Sequence, residues 1–393
     1  MPSVYIFFKN ISSMKIKKEY VGVGSLHKLH EIIEYHHATK IFIVCGKRSF
    51  YISDARDIIY TQLANKTLFQ FSDYTSNPKI EDVEKGVLKL KEAKPDIIVS
   101  VGGGSTIDMA KLINIVAHQL SNDLVGIVTG KKKVTVKGLP LIAIPTTSGS
   151  GSEATHFAVV YMNNKKYSLA HDFILPDYAI VDPSLTYSLS PRLIAISGID
   201  ALSQAIESYW SISSTDKSKQ YASKAIKMIL PALVDAVKIS DEKSKNTLSV
   251  AAHFAGKAIN ISKTTAPHAI SYPLTAFFGI PHGYAVGLIL GKFFAINAGM
   301  YDAELLDRRG WDYLKRTMKR LFKLLGFSNA YECGGWWYKL MSALGLEVDL
   351  KKLGVRKKED VDLIIENVNM DRLNNNPVRL SRSLLRQIIE QPN

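Results

Sequence analysis

The stretch Val101-Gly102-Gly103-Gly104-Ser105-Thr106-Ile107-Asp108-Met109-Ala110-Lys111 decides how the first half of this 393-residue chain is read. Three glycines stand directly between a β-branched run, Ile97-Ile98-Val99-Ser100-Val101, and the start of a helical pattern. Without a Cβ the backbone can approach a ligand closely, and the free N–H groups and dipole of a helix's first turn attract a pyrophosphate. The spacing is not GxGxxG, and GGGS alone also fits a tight turn. A second loop favours the ligand. Pro145-Thr146-Thr147-Ser148-Gly149-Ser150-Gly151-Ser152-Glu153-Ala154-Thr155 follows the next strong strand and carries hydroxyls suited to ribose and nicotinamide.

Working outward, Ile41–Val44, Leu141–Ile144 and Tyr178–Val181 are further strand candidates, each followed by Gly, Pro or Asp. Between the first and the Ile97 strand, Glu81 to Lys94 places Val83, Val87 and Leu90 on one helical face before Pro95 stops it. This βαβ pattern predicts a parallel sheet with crossover helices. The N-terminal Val4-Tyr5-Ile6-Phe7-Phe8 reads as a first strand rather than a signal peptide. Beyond about Ser190 the period changes, with helices expected over Ala201–Trp210, Lys217–Val237, Thr247–Ile261 and Trp311–Leu325. The expected fold class is α/β followed by all-α. Residues 1–185 form the dinucleotide-binding domain and 186–393 the helical metal and substrate domain, with the boundary near Asp182-Pro183.

Composition agrees with this division and removes other classes. At this length, with 46% apolar residues, two packed cores are expected and disorder is not. No apolar stretch is long enough to span a bilayer. Cys45 and Cys333 are far apart and lack CxxC spacing, which argues against a disulfide framework or zinc-thiolate site and for a reducing cytoplasm. Within a net charge of +14 the densest basic stretch is Lys315–Leu325, where apolar residues recur at helical spacing, and a further run, Lys131-Lys132-Lys133, lies in a loop beside a glycine. Both read as solvated faces rather than nucleic-acid or membrane surfaces, leaving a small anionic or neutral molecule as partner.

In the second half, Asp200 and Gln204 lie four apart, so both oxygens project from one helix face. His268 and His282 follow, each beside a proline. Either histidine alone is more often structural than a ligand. Together, one carboxylate, two imidazoles and one amide oxygen make a divalent-metal site with room for a substrate oxygen.

The order GGGSxxDxAK, PTTxGxGSE, GxDAxxxAxE and His-Gly on a proline turn resembles the iron-containing (group III) alcohol dehydrogenase family over nearly the whole chain. That resemblance implies a Rossmann-like N-terminal domain and a helical C-terminal domain, the architecture of dehydroquinate synthase. It implies a metal, Fe(II) or Zn(II), on Asp200, Gln204, His268 and His282. Dinucleotide contacts are implied at Asn77, Gly103, Gly104, Ser105, Thr146, Thr147, Lys166 and Leu185, with Asp108, Ser150 and Thr155 in the same loops. The implied reaction is aldehyde reduction: the metal polarises the carbonyl and the coenzyme supplies hydride. Asp200, His268 and His282 are its catalytic set, with Tyr272 beside the proton path. At least a homodimer is implied.

Two departures narrow the resemblance. Gln204 stands where most members carry a third histidine, and Tyr272 where many carry a further one. Both replacements, with the tail Arg372-Leu373-Asn374-Asn375-Asn376-Pro377-Val378, resemble the phosphonoacetaldehyde reductase branch. The implied substrate is then phosphonoacetaldehyde, reduced to 2-hydroxyethylphosphonate, whose charge calls for cationic partners. The alternatives are a general short-chain alcohol or diol dehydrogenase, of lactaldehyde or 1,3-propanediol type, and a dehydroquinate synthase-like lyase. After the first internal strand, Gly46 stands where NAD-preferring relatives present an acidic residue to the adenosine ribose. With Lys47, Arg48 and Ser49 next to it, this turn favours a 2′-phosphate, so NADP(H) is expected over NAD(H).

Overall fold

The computed structural model describes residues 16–75, 77–121, 123–163 and 165–391, so the strand expected at Val4–Phe8 lies outside it. Among the described residues there are eight strands: β1 Lys18–Val21, β2 Lys40–Cys45, β3 Thr67–Phe71, β4 Ile97–Gly102, β5 Leu141–Pro145, β6 Phe157–Met162, β7 Lys165–Ala170 and β8 Tyr178–Val181. Six form one parallel sheet in the order β1-β8-β5-β4-β2-β3. The expected strands are its middle members. They are buried on both faces and therefore show as continuous apolar runs. Alternate side chains supply two cores, with Ile41, Ile43 and Cys45 on one face and Phe42 and Val44 on the other.

The expected βαβ unit needs one correction. The helix α1, Ile80–Ala93, follows β3, not β2, so the crossover carries the chain from the sheet edge past β2 to β4. This change of direction leaves the loops after β2 and β4 diverging at the C-terminal sheet edge, where an open α/β sheet has its crevice. Glycines flank that point: the Gly46 N–H donates to the Val101 carbonyl at 3.3 Å, and Gly102 to Gly104 lead from β4 into α2, Gly104–Ala117. A Cβ on Gly102 would come within 2.4 Å of the Thr106 hydroxyl.

The second half is helical, as expected. It contains α3 Pro191–Trp210, α4 Asp216–Lys238, α5 Glu242–Ser262, α6 Ala266–Phe278 and α7 His282–Asn297. The first begins ten residues before the expected Ala201, because Pro191 fits a helix's opening turn and the Ser190 hydroxyl caps it at Leu193 N–H, 3.4 Å away. A third core surrounds Trp210, Trp337, Phe293 and Phe294. On the Trp311–Leu325 helix, Leu314, Met318, Leu321 and Leu325 are buried while Lys315, Arg316, Lys319 and Arg320 are exposed, the solvated face read from spacing. No helix among the described residues is long and apolar enough to cross a membrane. Both cysteines are buried and unpaired, and burial pushes each thiol up to about 12, so neither offers a thiolate at neutral pH.

The two halves meet where Gly151, at φ 61, rests on Gly256 of α5. A Cβ on Gly151 would lie 2.4 Å from the Gly256 Cα, and one on Gly256 would lie 2.6 Å from the Gly151 carbonyl oxygen. Only two glycines permit this backbone-to-backbone approach.

Candidate active site

A cleft of about 310 Å³ lies between the two loops and the helical half. On its sheet side the first turn of α2 carries no side-chain cap, so Gly103 and Gly104 present backbone. Gly104 faces Ser150 so closely that a Cβ would sit 2.6 Å from the serine hydroxyl. Gly104, Ser105, Thr147, Ser150 and Thr155 line the cleft, and Asn77 is exposed at its mouth. Thr146 lies behind them, its N–H donating to the Gly102 carbonyl at 3.0 Å. Leu185 is buried in the core beneath the sheet and does not line the cleft, while Lys47 is on the outer rim, 3.5 Å from the exposed Asp73 carboxylate.

Asp108 and Lys111, one turn apart on α2, fix the hydroxyl-rich loop. The Asp108 carboxylate accepts from the Ser152 hydroxyl at 2.5 Å and the Val159 N–H at 3.0 Å. The Lys111 ammonium donates to the carbonyls of Ser152, Thr155 and Phe157 at 2.6, 2.8 and 2.9 Å. Burial raises the Asp108 carboxyl and pushes Lys111 down to about 8, each partly offset by the other's charge. Lys111 was not singled out from sequence, although its place one turn beyond Asp108 was visible.

On the helical side, α3 presents Asp200 and Gln204, α6 presents His268 from its first turn, and His282 opens α7 after Pro281. Ligand atoms of Asp200, His268 and His282 all lie within 4.8 Å of one another. Gly283 allows this convergence, since a Cβ there would meet the Ile196 carbonyl at 2.5 Å and the Asp200 Cβ at 2.6 Å. The Gln204 amide donates to Asp200 Oδ2 at 3.2 Å and to the Ser150 carbonyl at 3.3 Å. This leaves Gln204 Oε1 and Asp200 Oδ1 as buried acceptors with no hydrogen-bond donor. Orphaned acceptors beside two imidazoles suit a divalent cation, so the residues present fit the metal.

Behind this set stands Glu207, also on α3 and fully buried. It receives a short hydrogen bond from His268 Nδ1 and further bonds from the Thr265 N–H and hydroxyl at 2.7 and 2.8 Å. Fixing the Nδ1 proton turns Nε2 towards Asp200, 3.5 Å away. Burial lowers His268, but the Glu207 and Asp200 carboxylates outweigh it and raise the ring to about 9. His282, buried and facing the cations of Lys166 and His268, is held well below its ordinary value and stays neutral. Glu207 received no role from sequence, yet its spacing of seven from Asp200 and three from Gln204 marks one helix face.

Tyr272 lies beside this centre, its ring 5.8 Å from that of His282. Lys166 of β7 sits over the Tyr272 ring at 3.6 Å from its centroid, and burial pushes that ammonium down to about 7. Burial also raises the Tyr272 hydroxyl, which keeps its proton and faces Arg372.

Two family profiles match almost the whole chain: iron-containing alcohol dehydrogenase over residues 17–183, and the C-terminal part of the Fe-containing alcohol dehydrogenase family over 194–392. The chain is 32% identical to phosphonoacetaldehyde reductase of Streptomyces viridochromogenes over 77% of each chain. It is 33% identical to a 1-propanol dehydrogenase of Citrobacter freundii over 71% of each. Among solved structures, sulfoacetaldehyde reductase from Bifidobacterium kashiwanohense in complex with NAD+ superposes with a TM-score of 0.84 at 29% identity, covering 95% of this chain and 96% of that one. An iron-containing alcohol dehydrogenase from Thermotoga maritima gives 0.81 at 27%, again over 95% and 96%. Fold, loops and relatives agree, and the chain belongs to the iron-containing alcohol dehydrogenase family, an NAD(P)-dependent alcohol dehydrogenase and aldehyde reductase.

Proposed function

We propose that this chain reduces phosphonoacetaldehyde to 2-hydroxyethylphosphonate, using NADPH and a divalent metal held by Asp200, Gln204, His268 and His282. Residues 1–185 bind the dinucleotide in this reading, and residues 186–393 hold metal and substrate. The observation that carries it is the convergence of Asp200, His268 and His282 within 4.8 Å, in the cleft lined by Gly104, Thr147 and Ser150. When bound, the metal supplies Lewis acidity and the coenzyme supplies hydride.

The chain's own groups do the rest. Glu207 keeps the His268 proton on Nδ1, Asp108 and Lys111 hold the hydroxyl loop in place, and the Tyr272 hydroxyl donates a proton or hydrogen bond at the site's edge. The charged substrate is supported by the reductases of phosphonoacetaldehyde and sulfoacetaldehyde among the relatives. A neutral short-chain aldehyde is the second reading, favoured by the 1-propanol dehydrogenase relative. The family profiles are those of dehydrogenases, which leaves the lyase alternative without support. The test is a panel of phosphonoacetaldehyde, lactaldehyde and propanal with each metal; propanal or lactaldehyde outrunning the phosphonate overturns the substrate while leaving the reaction class.

The preference for NADPH rests on Gly46, which itself carries no carboxylate, and on the exposed Lys47 and Arg48 beside it, of which Lys47 is paired with Asp73 at 3.5 Å. Gly46→Asp tests it: its Cβ meets only the tip of Ser49, at 2.4 Å, which can rotate away. The variant should favour NADH by about tenfold or more relative to wild type, the worth of one charged contact of roughly 1.5–3 kcal/mol. An unchanged ratio refutes the preference.

A further inference from the structure

We propose that Arg372 is the specificity-determining residue of the cleft, pairing with the anionic terminus of the aldehyde. The assignment rests on the charged-substrate reading above and goes beyond it by naming the group that selects such substrates. Arg372 belongs to the short Met370–Leu373 helix, and its side chain reaches the same cleft as Asp200, His268 and His282. Its guanidinium lies 5.1 Å from the Phe157 ring centroid and faces the Tyr272 hydroxyl.

No carboxylate pairs with Arg372 within 4.0 Å among the described residues, although it is half-buried. A guanidinium is a fixed cation, so Arg372 brings a charge with no ion pair of its own into a cleft also lined by Asp108 and Asp200. Lys166, 3.6 Å from the Tyr272 ring centroid, stands in the same cleft. Lys263 stands near enough that Arg372, after burial itself, lowers its ammonium. Concentrating positive charge against an apolar ring has an electrostatic cost in the free enzyme, and a bound anion relieves it.

The chain spends several buried contacts to hold this arginine. The Asn369 side chain caps the short helix by accepting from the Arg372 N–H at 3.0 Å. Asn375 donates to the carbonyls of Ser262 and Thr264 at 2.8 and 2.9 Å, and Asn376 donates to Asn297 Oδ1 at 3.0 Å. The asparagines therefore anchor the segment to α5 and α7, and Arg372 is the member of the run that faces the cleft. In a two-carbon aldehyde the acidic group lies one carbon beyond the carbonyl. The charge consequently falls within the same small cleft as the metal ligands, which Tyr272 and Arg372 also line. A fork of N–H donors fits the oxygens of a phosphonate or a sulfonate equally, so the recognised class is defined by the anion, not by phosphorus.

The test uses full-length, metal-loaded enzyme with phosphonoacetaldehyde, sulfoacetaldehyde and butanal. Ethylphosphonate and ethanesulfonate serve as unreactive probes by calorimetry. In Arg372→Gln, the ratio of kcat/KM for either charged aldehyde to that for butanal should fall about ten- to hundredfold, chiefly through KM, and ethylphosphonate binding should weaken by a similar factor. Arg372→Lys should retain part of both. A wild-type enzyme that prefers butanal refutes the substrate reading. Wild-type preference for the charged aldehydes that survives unchanged in Arg372→Gln refutes the role of Arg372 alone. Should Arg372→Gln not fold, Arg372→Lys decides: competitive inhibition by ethylphosphonate and ethanesulfonate that is weaker than in wild type supports the assignment, and inhibition unchanged from wild type overturns it.

Discussion

The two walls of the cleft are built from different materials. The sheet wall is mostly backbone, with glycines, a helix start without a side-chain cap and a close-fitting hydroxyl loop, whereas the helical wall is mostly side chain, with carboxylate, amide and imidazoles from three helices. A backbone surface tolerates loss of any one side chain but not the gain of one. A side-chain surface behaves in the opposite way. Substitutions on the two walls should therefore fail in opposite senses, one by addition and one by deletion.

The sharpest break is Asp200→Ala. Removing the only carboxylate among the proposed ligands should abolish metal binding and lower aldehyde reduction on the order of a thousandfold or more, several kcal/mol of lost carbonyl polarisation. Nicotinamide binding, followed by fluorescence, should persist; loss of both together would show that the walls are not separable. Next is Glu207→Gln, which keeps the shape but removes the charge behind His268, and should weaken metal affinity about 10–100-fold by metal titration. An unchanged affinity would make Glu207 merely structural.

On the other wall, Gly104→Val should weaken the coenzyme by roughly tenfold, because even its Cβ intrudes on Ser150, while metal affinity stays as in wild type. The smallest effect concerns pH. Glu19 of β1, Glu153 of the hydroxyl loop and His253 of α5 form a junction between the walls, with His253 Nδ1 3.0 Å from Glu153 and Nε2 3.6 Å from Glu19. Despite burial, His253 is raised by the two carboxylates, and Glu19 is held down to about 2 by His253 and Lys257. The histidine contributes stability below its ordinary 6.5 that is lost as pH rises through its higher folded value. The glutamate contributes above 4.5 what is lost as pH falls towards 2. Melting temperature should therefore be highest between about 4.5 and 6.5 as far as this junction is concerned, and His253→Gln should remove the alkaline fall.

The same contrast of materials explains what the sequence disclosed. The sheet wall was legible because a backbone site needs contiguous residues: GGGS and the PTT loop each carry their part in one short run. The central strands were legible because burial on both faces makes them uniformly apolar. Edge strand β1, Lys-Glu-Tyr-Val, is largely exposed and gave no such signal, and β3 is only half-buried. The hairpin β6–β7 was missed for the same reason, since polar residues such as Lys166 and Ser168 interrupt it. The metal residues were legible as types and spacings, but their meeting depends on Gly283 and on the turns before α6 and α7, which no linear pattern encodes. Leu185 shows the converse: carried over from the family pattern as a coenzyme contact, its side chain is in the core. Arg372 stood in a run noticed for its asparagines, and only the packing of those asparagines reveals which residue they aim.

The contact of Gly151 with Gly256 has a mechanical consequence. A second close approach joins the same loop to α3, where a Cβ on Gly149 would meet the Ser197 Cα and carbonyl oxygen at 3.0 Å. At Gly151 and Gly256 two main chains abut with nothing compressible between them. If coenzyme or substrate draws the walls together, the motion has to rotate about this stop, and the spacing from hydride donor to metal is then set by an angle, with the missing methyl groups as its bearing.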